Sequence, residues 1–346
     1  MKVLVTGASG FLGGHIVDGA LRAGQQVRVL VRRGSDISRL RDLDVELAYG
    51  DLEDADSLHR ATDGVDVVHH SAARVASHGT RAQFWGANVT GTERLMEAAR
   101  SSGVRRFVFI SSPSAVMDPK DGDRLGVDES VPYPGSYFNH YCETKAAAER
   151  LVRAANQRDF TTVTLRPRGI WGPRDYSGFL PMVIARLAAG TFPDLIGDRQ
   201  VYASLCHCDN AVAAALLAAT APAERVGGKV YFVADRDPVE AQDLIERLTE
   251  LFGGSPPTRR IPLALLEAVA GAVDLVWKIP VIAAHKTPPL SRYSLALLTR
   301  SSTYDTTAAQ RDLGYIPVTD LGTGLLGLKA WVESMGGTAE FVRTLH

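Results

Sequence analysis

Gly7, Gly10 and Gly13 stand at G-x-x-G-x-x-G spacing, directly behind an apolar run of Val3, Leu4 and Val5. Directly after them an amphipathic stretch runs from Phe11 to about Arg22. The run is what a strand buried on both faces requires. Strand, glycine turn and helix in that order form a cradle for a dinucleotide. Gly7 allows the tight turn, Gly10 lets a pyrophosphate approach the backbone, and Gly13 lets the helix pack close to the strand. The helix N-terminus then offers unpaired N–H groups and a positive dipole end to the phosphates.

The alternation continues. A second apolar run at 27–31 is followed by Arg32 and Arg33, with no acidic residue before Asp36. An acidic residue at that strand end holds the ribose hydroxyl of NAD, whereas arginine suits the 2′-phosphate of NADP. NADP(H) is therefore the expected cofactor, with NAD(H) as the alternative, and Arg32 and Arg33 form the phosphate clamp. A third strand at 45–49 leads to Asp51 and Leu52, placed to frame the adenine. A fourth at 65–69 leads to His70 and Ala72. His69 and His70 read as structural residues, because no third metal ligand stands at a suitable spacing. The stretch 81–102 reads as one long helix carrying Asn88. A fifth strand at 106–110 ends in Ser111, Ser112, Pro113 and Ser114, and 113–136 reads as a long functional loop. A helix at 137–156 and a sixth strand at 162–165 complete the pattern, followed by Arg166-Pro-Arg-Gly-Ile-Trp-Gly-Pro173.

The expected fold is α/β: a Rossmann-type doubly wound parallel sheet over 1–173, to which some later segments return. A smaller α-rich substrate lobe and cap occupy 174–346. The chain has 38 basic and 39 acidic residues among 346. That balance gives no support for nucleic acid or a membrane surface as main partner. Cys142, Cys206 and Cys208 form no disulfide framework and point to a reducing, cytoplasmic compartment. Cys206, His207 and Cys208 cannot all face one metal from a strand and read as core variation, so no metal is expected. Glycines interrupt the N-terminal apolar run too early for a signal peptide. Glu267, Asp274, Lys278 and Pro280 break the apolar stretch 261–284, which reads as cap helices and not a membrane span.

Tyr141 and Lys145 lie four apart on the 137–156 helix, so their side chains share one face. A nearby ammonium favours the phenolate and lowers the tyrosine pKa. Such a tyrosine exchanges a proton with a carbonyl or alcohol oxygen, while a strand-end serine holds the same oxygen.

Glycine motif, serine-bearing strand end and Tyr-x-x-x-Lys, in that order, resemble the extended short-chain dehydrogenases/reductases over essentially the whole chain. The matching pieces include Thr6 to Gly13, Asp51-Leu52, Asn88, Ser111-Ser112, Tyr141 to Lys145, Arg166 to Pro173, Asp209-Asn210 and Leu313 to Pro317. The resemblance implies that Tyr141 is the catalytic acid/base, that Lys145 holds the nicotinamide ribose, and that Ser112 orients the substrate oxygen. Ser111 and Ser114 stay open as substitutes. The implied cofactor set is Gly7, Ser9, Gly10, Phe11, Leu12, Gly13, Arg32, Arg33, Asp51, Leu52, Ala72, Tyr141, Lys145 and Pro167. Asn88 is implied to be structural, and the helices at 81–102 and 137–156 to pair in a homodimer.

The segments 111–116, 128–133 and 166–175 are most similar to the 3β-hydroxysteroid dehydrogenase branch, and particularly to bacterial reductases of 2-alkyl-3-oxoalkanoic acids. The implied activity is NADP(H)-dependent interconversion of a 3-oxo and a 3-hydroxy group on a large apolar substrate, with a β-keto acid first. Ser114 and Arg168 are candidate substrate contacts, Arg168 for a carboxylate. A steroid or sterol dehydrogenase, a nucleotide-sugar epimerase or dehydratase, and an NADP(H)-sensing regulator are the competing readings. The missing acidic residue after 27–31 argues against the epimerase, and the Tyr-x-x-x-Lys pair against the sensor.

Overall fold

The computed structural model describes residues 1–75, 79–257, 259–277, 279, 282, 288 and 290–345. Its main sheet has seven strands: β1 (Lys2–Thr6), β2 (Gln26–Val31), β3 (Val45–Tyr49), β4 (Val67–His70), β5 (Arg106–Ile110), β7 (Thr161–Pro167) and β11 (Lys229–Val233). They lie in the order β11-β7-β5-β4-β1-β2-β3, all parallel. β1 pairs with both β2 and β4, so Val3 stands beside Val27 on one side and Val67 on the other. The strand order reverses at this point, and ligands bind outside the carboxyl ends of strands at such a switch point.

The sheet is covered on both faces, which explains why its strands read as unbroken apolar runs. On one face Ile16, Val17 and Ala20 of the helix Phe11–Arg22 meet Val212 and Ala215 of the helix Cys208–Thr220. On the other, Leu58, Leu95, Ala148 and Val152 pack beneath Leu4, Val68 and Phe107. A separate apolar cluster under the second lobe joins Trp171, Leu180, Ile184, Leu244 and Leu325.

Several sequence expectations change where pairing is non-local. The 113–136 stretch is not all loop. It holds a short helical turn at Pro113–Val116 and the strand β6 (Arg124–Val127), which pairs with β13 (Ser302–Tyr304). With β9 (Tyr202–Ala203) and β12 (Val239–Glu240) these form a second, four-stranded sheet. Just beyond β9 a further short strand, β10 (Cys206–His207), pairs with β8 (Ile170–Trp171). The 81–102 helix contains a wider π turn at Gly86–Thr90, which re-aims Asn88 inward. Part of the 261–284 stretch, including Lys278 and Pro280, lies outside the described residues. Among the described residues no helix is long and apolar enough to cross a membrane.

Candidate active site

The glycine turn is built so tightly that side chains are excluded. Gly7 has φ +71°. A Cβ there would lie 2.8 Å from the Ala72 nitrogen, and one on Gly13 would lie 2.1 Å from the Gly7 carbonyl oxygen. Gly10 is less crowded, with Gly7 O at 3.3 Å from its would-be Cβ. Gly10 N–H donates to Gly7 O at 2.9 Å. The following helix has no side-chain cap at Gly10, so its first-turn N–H groups stay available at the crevice. Ser9 and Gly10 are exposed there, while the Leu12 side chain belongs to the core.

Around this turn the other cofactor candidates converge from neighbouring strand ends. Ala72 N–H donates to Thr6 Oγ1 at 3.2 Å, which fixes the segment after β4 against the end of β1. Arg32 and Arg33 are exposed directly after β2. Neither makes an ion pair among the described residues, and Arg33 lies over the Tyr49 ring at 5.7 Å. Asp36 accepts from Ser38 N–H at 2.9 Å and so serves its own loop. Asp51 accepts from Glu53 N–H at 3.0 Å, and Leu52 packs against the helix at Gly91. Pro167 ends β7 in a buried position. These residues fit a dinucleotide: Gly10 is exposed at the crevice, and a Cβ on it would cover backbone that a pyrophosphate must approach.

The histidine pair is structural in its contacts. His70 bridges Thr6 Oγ1 and Thr92 Oγ1, each at 2.8 Å. The fully buried His69 has no hydrogen-bond partner among the described residues, and burial lowers both rings' affinity for a proton. Cys206 lies in the core, whereas Cys208 comes beside His15 and Asp209, with ligand atoms within 4.8 Å of one another. His15 already bonds Pro173 O at 2.9 Å, and the Arg174 cation close to it disfavours a metal ion there.

The catalytic candidates meet where β5 ends. Asn139 caps the helix His140–Ala154 by accepting from Cys142 N–H at 3.0 Å, which sets Tyr141 in its first turn. Asn88 anchors this helix from the side. Its amide donates to Arg74 O at 3.1 Å and to Thr144 Oγ1 at 3.0 Å, the structural role the resemblance implies. The Tyr141 hydroxyl lies near enough to Ser112 for that side chain to favour the phenolate. The Ser112 hydroxyl also reaches Ser114 Oγ at 3.0 Å. Ser114 Oγ in turn lies 2.7 Å from Tyr293 OH. Three hydroxyls thus run in a chain from Ser112 to Tyr293, with Tyr141 beside Ser112. Ser111 points the other way and donates to Glu149.

One electrostatic expectation is corrected. Lys145 does not set the state of Tyr141 here. Its buried ammonium donates to Ile110 O at 2.7 Å and lies 4.8 Å from the Phe109 ring centre. Burial pushes Tyr141 up to about 12, opposed by the Ser112 side chain, so the phenol is protonated at neutral pH. Burial lowers Lys145 to about 8, with Glu149 acting against it.

Beside this chain of hydroxyls opens a cavity of about 370 Å³. Ser112, Ser114, Tyr293 and Arg168 line its polar part, and Phe179, Val183, Leu205, Leu244 and Leu297 are among its apolar walls. Both substrate candidates, Ser114 and Arg168, therefore face the same space. Tyr293 was not legible as a site residue. It comes from the cap helix Arg292–Thr299 and carries no local motif.

The comparisons agree with this geometry. The sequence matches the 3-beta hydroxysteroid dehydrogenase/isomerase family over residues 4–265. It is 35% identical to a 2-alkyl-3-oxoalkanoate reductase of Stenotrophomonas maltophilia, covering 95% of this chain and 99% of that protein. It is 37% identical to a 4-hydroxy-2-methyl-3-oxo-4-farnesyl-3,4-dihydroquinoline-1-oxide ketoreductase of Stigmatella aurantiaca, covering 91% and 92%. Among solved structures, MoeE5 in complex with UDP-glucose and NAD superposes with a TM-score of 0.73 at 25% identity, covering 97% of this chain and 100% of that one.

Proposed function

Because the chain belongs to the 3-beta hydroxysteroid dehydrogenase/isomerase family of NAD(P)-dependent oxidoreductases, which interconvert 3-oxo and 3-hydroxy groups, we propose that it reduces the keto group of a β-keto acid of the 2-alkyl-3-oxoalkanoate type. The observation that carries this is that Ser112 and Ser114, at the end of β5 beside Tyr141, line the polar end of a largely apolar cavity.

The proposal assigns each residue a role. A nicotinamide held here would supply the hydride in the reducing direction. Tyr141 holds the proton that the carbonyl oxygen needs, and its high pKa keeps that proton in place before substrate arrives. Ser112 is placed to donate to the same oxygen, with Ser114 and Tyr293 behind it to complete the hydrogen bonding. Lys145 is the cation available to the nicotinamide ribose, one helical turn from Tyr141. Gly7, Ser9, Gly10, Phe11 and Gly13 would hold the pyrophosphate with their backbone. The Leu12 backbone shares that turn, Ala72 and Pro167 would border the nicotinamide side, and Asp51 and Leu52 the adenine.

A preference for NADP(H) over NAD(H) belongs to the same proposal, supported by the two exposed arginines after β2. So do a homodimer, formed through the helices around Asn88 and Tyr141, and a cytoplasmic location, supported by three free cysteines.

The test is oxidation of NADPH and NADH against a long-chain 2-alkyl-3-oxoalkanoic acid, a 3-oxosteroid and a UDP-sugar. Turnover of the acid with NADPH, abolished by Tyr141→Phe, is the expected result. Turnover of the steroid alone would replace the substrate class. Tight NADPH binding with no turnover of any ketone would overturn the enzyme reading.

A further inference from the structure

The cavity contains a buried cation, Arg168, that no carboxylate pairs with among the described residues. Arg168 is only 9% exposed, and its Nε is buried without a hydrogen-bond partner. The contrast with Arg166, two residues earlier on the same strand end, is direct. Arg166 is also buried, but it binds Glu149 through two hydrogen bonds, at 2.5 and 3.1 Å. Two acidic residues do line the cavity. Asp194 already accepts from Ile196 N–H at 3.1 Å and Gly197 N–H at 2.7 Å, and Glu246 is exposed on its helix. Arginine does not escape burial by losing its proton. An unpaired buried guanidinium is costly, so the site is completed by an anion.

The register of the sheet says where that anion lies. Ile110 of β5 stands opposite Leu165 of β7, and Ser111 N–H donates to Leu165 O at 2.7 Å. Ser112 and Arg168 therefore leave two adjacent strand ends, and both open into the same cavity. Adjacent parallel strands lie about 4.8 Å apart. A molecule with its carbonyl oxygen at Ser112 and Tyr141 would present to Arg168 whatever its neighbouring carbon carries. In a β-keto acid a single carbon separates the ketone from the carboxylate. Tyr293 lies near enough to Arg168 to feel its charge and offers a hydroxyl to the same region.

We propose that Arg168, assisted by Tyr293, is a carboxylate-binding subsite that makes the enzyme select free β-keto or β-hydroxy acids over their esters and over neutral ketones. This deepens the reductase reading and rests on it for the position of the reacting oxygen. One guanidinium in apolar surroundings suits a monoanion, and a bidentate pair with a planar carboxylate satisfies its fork.

The reverse reaction tests it with stable compounds. A long-chain 2-alkyl-3-hydroxyalkanoic acid and its methyl ester are offered with NADP+, and NADPH formation is followed. Wild type is expected to favour the acid by about 100-fold in kcat/KM. Arg168→Met is expected to lower kcat/KM for the acid far more than for the ester and so to remove that preference, and Arg168→Lys to restore part of it. Equal turnover of acid and ester by wild type, or equal loss of both in Arg168→Met, overturns the subsite. Binding of the hydroxy acid, followed by tryptophan fluorescence, separates the two ideas. Tight acid binding that Arg168→Met abolishes, with no turnover in wild type, would uphold the subsite and overturn the reductase reading.

Discussion

Ser111 donates its hydroxyl to Glu149 Oε2 at 2.7 Å in a fully buried contact, while its neighbour Ser112 turns to Tyr141 and Ser114. Successive residues of an extended chain face opposite sides, so only one of the two serves the cavity. Glu149 also receives Arg166 and the Tyr133 hydroxyl, the latter at 2.6 Å. Ser111 thus completes a buried polar network, and Ser112 the site.

The two serines are therefore expected to fail differently. Ser111→Ala leaves an acceptor of a buried network short of a donor and lowers stability by about 1–3 kcal/mol, with kcat little changed. Ser112→Ala removes a donor to the reacting oxygen and lowers kcat by about 100-fold, with the melting temperature nearly unchanged. Urea denaturation and steady-state kinetics on the two variants check this. A Ser111→Ala protein as stable as wild type and as slow as Ser112→Ala would reverse the assignment.

Lys145 links the site to pH. Its folded pKa, about 8, lies below the ordinary lysine value of 10.5, because burial disfavours the ammonium. Between these values the unfolded chain binds more protons, so stability rises with pH across that window. The cost of the buried ammonium is full below pH 8 and is relieved as pH approaches 10.5. Lys145→Met is thus expected to gain stability relative to wild type at pH 7, by up to about 3 kcal/mol. That gain shrinks by pH 10, while activity falls by at least about 100-fold. Denaturation at pH 7 and pH 10 reads the difference, and a gain that grows with pH would contradict it.

The phosphate clamp has a simple signature. Arg32 and Arg33 are exposed and make no ion pair among the described residues, so their removal disturbs little else. Arg32→Ala with Arg33→Ala is expected to raise KM for NADPH by about 10- to 100-fold and KM for NADH by less than about 3-fold. Added salt should weaken NADPH more than NADH in wild type and equalise them in the variant. Equal losses for both cofactors would show that the arginines do not read the 2′-phosphate.

What was legible in the sequence was what is local. The glycine turn, Tyr141 with Lys145 and the parallel strands are each encoded within a few residues, and the structure places them at one sheet edge. The β6 strand escaped notice because its partner, β13, lies far along the chain and its four residues include Gly126. Tyr293 escaped for the same reason, since 179 positions separate it from Ser114. The direction of the Tyr141 shift was not legible because spacing on a helix says that two groups share a face, not which partner the lysine prefers. Lys145 donates to Ile110 O instead.

The glycines differ among themselves in a way that separates folding from cofactor binding. A Cβ on Gly13 would stand 2.1 Å from Gly7 O, a backbone atom that cannot move without unwinding the turn. Gly13→Ala is therefore expected to destabilise the whole Rossmann unit, by about 3 kcal/mol or more, and to lower the yield of folded protein. A Cβ on Gly10 meets only Gly7 O at 3.3 Å, and Gly10 is exposed at the crevice. Gly10→Ala should fold with a melting temperature close to wild type. Its methyl group stands where the pyrophosphate would approach the backbone. Because NADPH and NADH share that pyrophosphate, both are expected to weaken by the same factor, about 10-fold or more, in contrast to the arginine variants. Melting curves with cofactor titrations on the two alanine variants check this. A Gly10→Ala protein that binds both cofactors normally would mean that the pyrophosphate does not cross this turn.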